Sequence, residues 1–522
     1  MAAMSKSIAA VILALALAQS APAPISQFAD PARRAKLATA FADIDRRFAE
    51  FAKAAHVPGA AWGIVIDGEL AHSGAVGVRD IGTNARVDAD TVFRIASMTK
   101  SFTAMAILKL RDEGKLALDD PAERYVPELK GLRYPTSDSP RITIRHLLTH
   151  SGGFPEDNPW GDQQLSESEE AFSRMMREGI PFSNAPGVAY EYSNYGFAIL
   201  GRIVSNVSGT TYDDYVTRQI LRPLGMTSTT LHASKVPAAR LAIGYRWEDE
   251  RWKEEPALPH GAFGAMGGML TSIRDLSRYV AAFLDAWPPR DGPEGGPLGR
   301  ASLREMQQPW RPSGMRVVRD TSTNAVHLTS VDYGYGLRVT QTCDFRAMVA
   351  HSGGLPGYGS QMRWLPDYGV GLIAFGNVTY TGWDRVVGEA IDRLARTGGL
   401  QPREVRPSPA LVEAREAVSK LVIGWDDKLA EAMAAENLFL DRSKDRRRKE
   451  IDDLRAKVGA CTAPDRFDHV ENALRGRWTM SCERGRLQVA ITLAPTIPPA
   501  VQFLSVRPAP PEPPRPGPCT SF

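Results

Sequence analysis

Long apolar runs are scarce in this chain. The apolar run at residues 8–18 is too short to cross a bilayer as a helix, and no later segment reaches the roughly 18 uninterrupted apolar residues needed, so no membrane span is expected. An excess of one charge is missing too: 63 basic and 60 acidic residues leave a net charge of +3, too balanced for binding nucleic acid through bulk charge. The one basic run, residues 442–449, is offset by Asp445, Glu450, Asp452 and Asp453 and reads as a solvated helix face. Nine histidines include no His-Glu-x-x-His, and the four cysteines form no Cys-x-x-Cys, so no metal site is implied. The run Gly264-Ala265-Met266-Gly267-Gly268 lacks the Lys-Ser/Thr ending of a phosphate loop, and no cofactor is implied. A Gly-x-Ser-x-Gly elbow and internal repeats are also absent.

What is present fits an exported globular protein. Hydrophobic residues at 43% and charged residues at 24% supply an ordinary core and surface, and 522 residues exceed one typical domain. Lys6, the apolar run 8–18 and Ala16-Leu17-Ala18 read as a secretory signal over residues 1–18, which predicts a periplasmic or secreted location. No cysteine follows that run to carry a lipid. In an oxidising compartment Cys343, Cys461, Cys482 and Cys519 allow three full pairings, and the short segment bracketed by Cys461 and Cys482 favours that pair as a structural staple.

The pattern along the chain predicts an α+β fold. Residues 35–55 have helical spacing. Residues 61–65 and 71–78 flank Asp67-Gly68 as a hairpin, and 361–366 and 370–375 flank Asp367-Tyr368-Gly369 as a second. Helical spacing returns at 97–111 and 386–396, and 116–187 mixes helices with loops. Strands at both ends with helices between them predict an antiparallel sheet flanked by terminal helices, with an inserted helical subdomain, over residues 30–400. Proline marks a linker at 401–410. A small α+β domain is expected over 411–506, helical at 411–437 and then stranded, where Trp478, Met480 and Cys482, and Leu487, Val489, Ile491 and Leu493, alternate with polar residues. A proline-rich tail, 507–522, closes the chain.

Ser97-Met98-Thr99-Lys100 is the one Ser-x-x-Lys in the sequence. Three residues apart on a helix, an amine and a hydroxyl share a face, and Ser97 falls at the helix start, where backbone dipoles favour developing negative charge. On that tetrapeptide alone a helix cap beside a surface lysine is the simpler reading. Its context reverses this. Phe93-Arg94-Ile95-Ala96 before it and Ser101-Phe102-Thr103-Ala104 after it resemble the nucleophile helix of the serine β-lactamase and penicillin-binding protein superfamily, most closely the class C β-lactamase and D-Ala carboxypeptidase branch. Tyr192-Ser193-Asn194 matches that branch's Tyr-x-Asn element, and His351-Ser352-Gly353-Gly354 stands where its β-lactamases carry Lys-Thr-Gly. The segment His146-Leu147-Leu148-Thr149-His150-Ser151-Gly152-Gly153 also resembles the family, and there the likeness makes its histidines architectural rather than part of a Ser-His-Asp triad.

This resemblance implies a serine hydrolase that forms an acyl-enzyme on a peptide, amide or ester carbonyl of a small molecule or peptide. It implies Ser97 as nucleophile, with Lys100 and Tyr192 managing its proton. The amides of Ser97 and Gly354 would hold the oxyanion, and Asn194 would orient the acyl side chain. His351, Ser352, Gly353 and Gly354 would line the substrate. A histidine with an ordinary pKa near 6.5 is mostly neutral at pH 7, so its place in the Lys-Thr-Gly position argues against strong β-lactamase activity. D-Ala carboxypeptidases, D-aminopeptidases and some esterases of the superfamily carry such His-x-Gly strands. Two alternatives accompany this reading: a carboxylesterase of the same fold, and a noncatalytic protein that binds peptidoglycan fragments. Neither the oligomeric state nor the role of residues after 405 is legible.

Overall fold

The computed structural model describes residues 25–319 and 326–510. The expected signal and residues 511–522 of the expected tail, Cys519 included, lie outside them. The chain divides into two compact units, residues 30–402 and a smaller one built on residues 403–510.

The larger unit is α+β. Its nine-stranded sheet comprises β1 (Gly59–Ile66), β2 (Glu69–Asp80), β3 (Ala85–Arg86), β4 (Arg311–Arg319), β5 (Val326–Tyr333), β6 (Arg338–Gln341), β7 (Met348–Leu355), β8 (Tyr358–Leu365) and β9 (Val370–Gly376). The order is β3-β2-β1-β9-β8-β7-β6-β5-β4, and every pair is antiparallel. The first and last strands thus meet in the middle, with Trp62 opposite Ala374.

Alternation along these central strands sorts side chains to two faces. Trp62, Ile64, Leu372 and Ala374 share a core with Ile44 and Phe48 of the Phe41–Ala54 helix and with Val387 and Leu394 of the Asp384–Arg396 helix. Ala61, Val65, Ile373 and Phe375 face the other way, toward Tyr279, Val280 and Phe283 of the Ile273–Asp285 helix. Because both faces are covered, β1 is buried throughout and reads as a continuous apolar run rather than an alternating one. Phe48 stacks on Trp62 at 5.1 Å and Trp383 at 6.0 Å, and its truncation to alanine would cost about 3–5 kcal/mol.

Two of the expected helices are interrupted. Residues 35–55 form Arg33–Ala38 and Phe41–Ala54, and residues 411–437 form Pro409–Ile423 and Asp427–Met433. The second break has a local cause: Gly424 leaves the helix, and the Asp426 side chain accepts the Leu429 N–H at 2.9 Å, capping a new helix start. The smaller unit continues with the Lys444–Val458 helix and strands β10 (Cys461–Thr462), β11 (His469–Asn472), β12 (Arg475–Cys482), β13 (Gly485–Leu493) and β14 (Val501–Pro508). β14 runs two residues into the stretch expected as tail. β10 places Cys461 opposite Cys482, and the two are disulfide-bonded. Among the described residues no helix is long and apolar enough to cross a membrane.

Candidate active site

The chain enters the site along a short strand, Phe93–Arg94, paired with Leu270–Thr271. Ala96 then adopts φ 48°, a left-handed conformation that costs a non-glycine residue energy and clusters at functional turns. The turn starts a 3₁₀ segment, Ala96–Met98, that runs into the Thr99–Asp112 helix and sets Ser97 at its head. β7 presses against this turn. A Cβ on Gly353 would lie 2.1 Å from the Ile95 carbonyl oxygen, so only glycine permits the approach. Ser360 on β8 ties the same carbonyl down, its Oγ donating at 2.9 Å.

Lys100, one helical turn on, is fully buried. Its Nζ lies 2.9 Å from Ser97 Oγ, 2.6 Å from Asn194 Oδ1 and 2.8 Å from the Met266 carbonyl oxygen. The last two groups only accept, so a neutral amine donates both protons to them and turns its lone pair to the Ser97 hydroxyl. Among the described residues no carboxylate lies within ion-pair distance of it. Burial lowers its pKa to about 7, against the partial opposition of the Asp162 and Asp157 charges.

Tyr192 lies above this amine, with Nζ 4.9 Å from its ring centre. Burial holds the phenol well above its ordinary value, only partly offset by hydrogen bonding with Ser97, so it stays protonated at rest. His150 clamps its backbone from both sides. The Glu191 N–H donates to the His150 carbonyl at 2.8 Å, and the Ser193 N–H donates to His150 Nδ1 at 3.1 Å. The His150 ring packs, tilted, 4.2 Å from that of Tyr192, and burial pushes its own pKa well down. This buried, neutral ring makes no contact with Ser97 of the kind a triad requires.

Ser193 and Asp157 then start the Asn194–Ser208 helix. Ser193 accepts from the Gly196 N–H, and the two Asp157 oxygens accept the N–H groups of Asn194 at 2.6 Å and Tyr195 at 2.8 Å. Asn194 is completely buried, engaged by Lys100 on one side and by Asn158 Oδ1 at 3.3 Å on the other. The sequence placed it beside Tyr192 facing the cleft; in the structure it sits beneath the cleft and holds the lysine.

A cavity of about 260 Å³ opens over Ser97, bounded by Tyr192, His351, Ser352, Gly354, Arg338, Asp162 and Tyr380 among others. Lys100, Asn194 and Gly353 lie behind this wall. His351 is buried, and its Nδ1 sits 2.6 Å from the Ser352 carbonyl oxygen, which fixes the proton on Nδ1 and leaves Nε2 to accept from the Tyr333 hydroxyl at 2.9 Å. Burial takes its pKa down to about 3, so it contributes no positive charge. Arg338, which the sequence reading passed over, supplies one. It heads β6 opposite Ala350 of β7, lies 6.0 Å from the Tyr192 ring centre, and makes no ion pair among the described residues. Asp162 and Tyr380 were also missed. Among the described residues no cluster of three or more His, Cys, Asp or Glu is placed to hold a metal.

A family model described as Beta-lactamase matches residues 44–397. The chain belongs to the β-lactamase family. It is 32% identical to Protein flp of Staphylococcus aureus (strain COL) over 231 residues, 43% of this chain and 45% of that protein, so the match spans about half the relative's length. Penicillin-binding protein 4* of Bacillus subtilis (strain 168) is 24% identical over 328 residues, 59% of this chain and 66% of that one. The fold is similar to that of the octameric penicillin-binding protein homologue from Pyrococcus abyssi (TM-score 0.57, 24% identity, 89% of this chain and 95% of that one). It is also similar to the penicillin binding protein from Bacillus halodurans (TM-score 0.53, 23% identity, 66% and 99%).

Proposed function

We propose that this β-lactamase family member is an exported serine hydrolase of the D-Ala carboxypeptidase or D-aminopeptidase type, working through an acyl-enzyme on Ser97. The observation that carries the reading is the Lys100 amine, buried with no carboxylate among the described residues in ion-pair contact and 2.9 Å from Ser97 Oγ. Ser97 Oγ attacks the substrate carbonyl carbon while its proton passes to Lys100 Nζ. The amides of Ser97 and Gly354 hold the oxyanion. Tyr192, a phenol rather than a phenolate at rest, passes a proton to the leaving group as the bond breaks and is reprotonated from Lys100. Water then releases the acyl group by the reverse proton path.

Arg338 favours a leaving group that ends in a carboxylate, which a simple ester would leave unused. The neutral His351 fits weak rather than strong action on β-lactams. Export is supported by the Cys461–Cys482 disulfide, a bond of oxidising compartments. Intact-mass spectrometry with a fluorophosphonate tests the nucleophile. Wild type gains one adduct that Ser97→Ala lacks, and an adduct of equal yield on the variant overturns the assignment. Relative rates on a D-Ala-D-Ala peptide, nitrocefin and p-nitrophenyl butyrate test the class, and fastest turnover of the butyrate would give the carboxylesterase reading the lead.

A further inference from the structure

Asp162 is only 4% exposed, yet it forms part of the cavity wall over Ser97. The Tyr380 hydroxyl donates to its Oδ2 at 3.0 Å, while Oδ1 has no hydrogen-bond partner among the described residues. Nor does it form an ion pair there. Lys100 attracts it from a distance, but that amine is hydrogen-bonded to Ser97, Asn194 and Met266 and does not touch it. A carboxylate held in a small cavity with no cation in contact is costly to desolvate, and a cation bound against it relieves that cost.

We infer that Asp162 is the recognition site for a free ammonium group on the acyl half of the substrate. This rests on the serine hydrolase reading above and narrows its substrate class. Position along the cleft assigns the half. Arg338 pairs with Ala350 at one end of the cavity-lining part of β7, next to His351, and stands over Tyr192, the residue that protonates the leaving group. Asp162 is held at the other end, because Tyr380, its hydrogen-bond partner, packs on Gly354, where an added Cβ would meet the ring at 2.6 Å. His351 and Gly354 are three residue steps apart along the strand, about 10 Å. Cation and anion therefore flank the nucleophile from opposite ends, and the end away from the leaving group is the acyl side. Tyr380 itself holds φ 53°, a left-handed conformation uncommon for a non-glycine residue. Burial raises the Asp162 pKa to about 6, so it still carries its charge at neutral pH. At about 260 Å³ the cavity that Asp162 and Arg338 both line is smaller than a typical drug-sized pocket and suits a small substrate.

The test uses calorimetric binding of D-alaninamide and N-acetyl-D-alaninamide to the full chain carrying Ser97→Ala, which prevents turnover, with and without Asp162→Asn. The free amine should bind at least about tenfold more tightly than the acetylated amide, and Asp162→Asn should bring the ratio near one. Equal affinities for the two amides, binding of neither, or a preference that survives Asp162→Asn would each overturn the inference. Fluorophosphonate labelling of wild type runs alongside. Its failure would sink the hydrolase reading while leaving the ammonium result to stand or fall by the binding ratio.

Discussion

The acid limb of reactivity should belong to Lys100. An ordinary lysine, with a pKa near 10.4, is neutral in about one molecule in 2,500 at pH 7, whereas one at about 7 is neutral in about half. The buried setting therefore multiplies the competent fraction roughly a thousandfold, equivalent to about 5 kcal/mol between the two protonation states. Because the pKa is lowered and the neutral amine is the active form, reactivity should rise with pH, pass half-maximum near 7 and level off above 8. It should fall about tenfold per unit below 6. The assay is the second-order rate of fluorophosphonate addition to Ser97 between pH 5 and 10, since an uncharged probe does not titrate with the enzyme. Asp162→Asn removes the charge that most opposes the shift, so its inflection should move to lower pH. Lys100→Met should remove the inflection and about three decades of rate. A flat profile, or one rising near 10, would show that this amine is not the base.

Three further outcomes follow from other parts of the structure. His150→Asn keeps an acceptor for the Ser193 N–H and tolerates the φ of 53°, whereas His150→Phe keeps the ring but orphans that buried amide. Denaturant unfolding should show His150→Phe destabilised by about 1–3 kcal/mol, and its Ser97 labelling rate, measured where it is fully folded, should fall while His150→Asn stays closer to wild type. Arg338→Gln should lower kcat/KM on a carboxylate-terminated peptide about 10- to 100-fold relative to the same peptide as its amide, the worth of a charge-assisted hydrogen bond; an unchanged ratio would remove Arg338 from recognition. Cys461 and Cys482 close a loop across a separation of 21 residues, so replacing both with serine should cost the smaller unit about 3 kcal/mol, read as faster hydrogen exchange in β12 and β13.

Ser97 and Lys100 were legible because their relation is local: an i,i+3 spacing on one helix survives any arrangement of the rest. The two hairpins were legible for the same reason, through Asp67-Gly68 and the turn before β9. Tyr192 and His351 needed the order of motifs along the chain. Arg338 was not legible, because its value arises from β6 pairing with β7, a register that no local pattern announces for a four-residue strand. Asp162 and Tyr380 lie 218 positions apart and meet through the fold alone. Asn194 was misjudged in orientation: an extended Tyr-x-Asn points both side chains one way, but the helix begins at Asn194 and turns it under the cleft. Reading the histidine segment as architectural rather than as a triad fits where His150 lies, clamped to the backbone around Tyr192.

The exchange of lysine for histidine at position 351 and the presence of Arg338 are best understood together. A lysine at 351 would put a second cation beside Lys100; the neutral His351 does not, and the positive charge of the cleft stands instead on the neighbouring strand. Arg338 there still helps to depress Lys100. A substrate carboxylate bound to Arg338 would screen that influence and make Lys100 more basic just as it accepts the Ser97 proton. The pH profile of kcat, which reports the bound enzyme, should then have its acid inflection above that of kcat/KM for an N-acetylated peptide with a free carboxylate, and the gap should vanish for the same peptide as its amide. N-acetylation keeps Asp162 out of the comparison. A gap of equal size for both peptides would mean that Arg338 and Lys100 are not linked through the substrate, and that the cation on β6 serves binding alone.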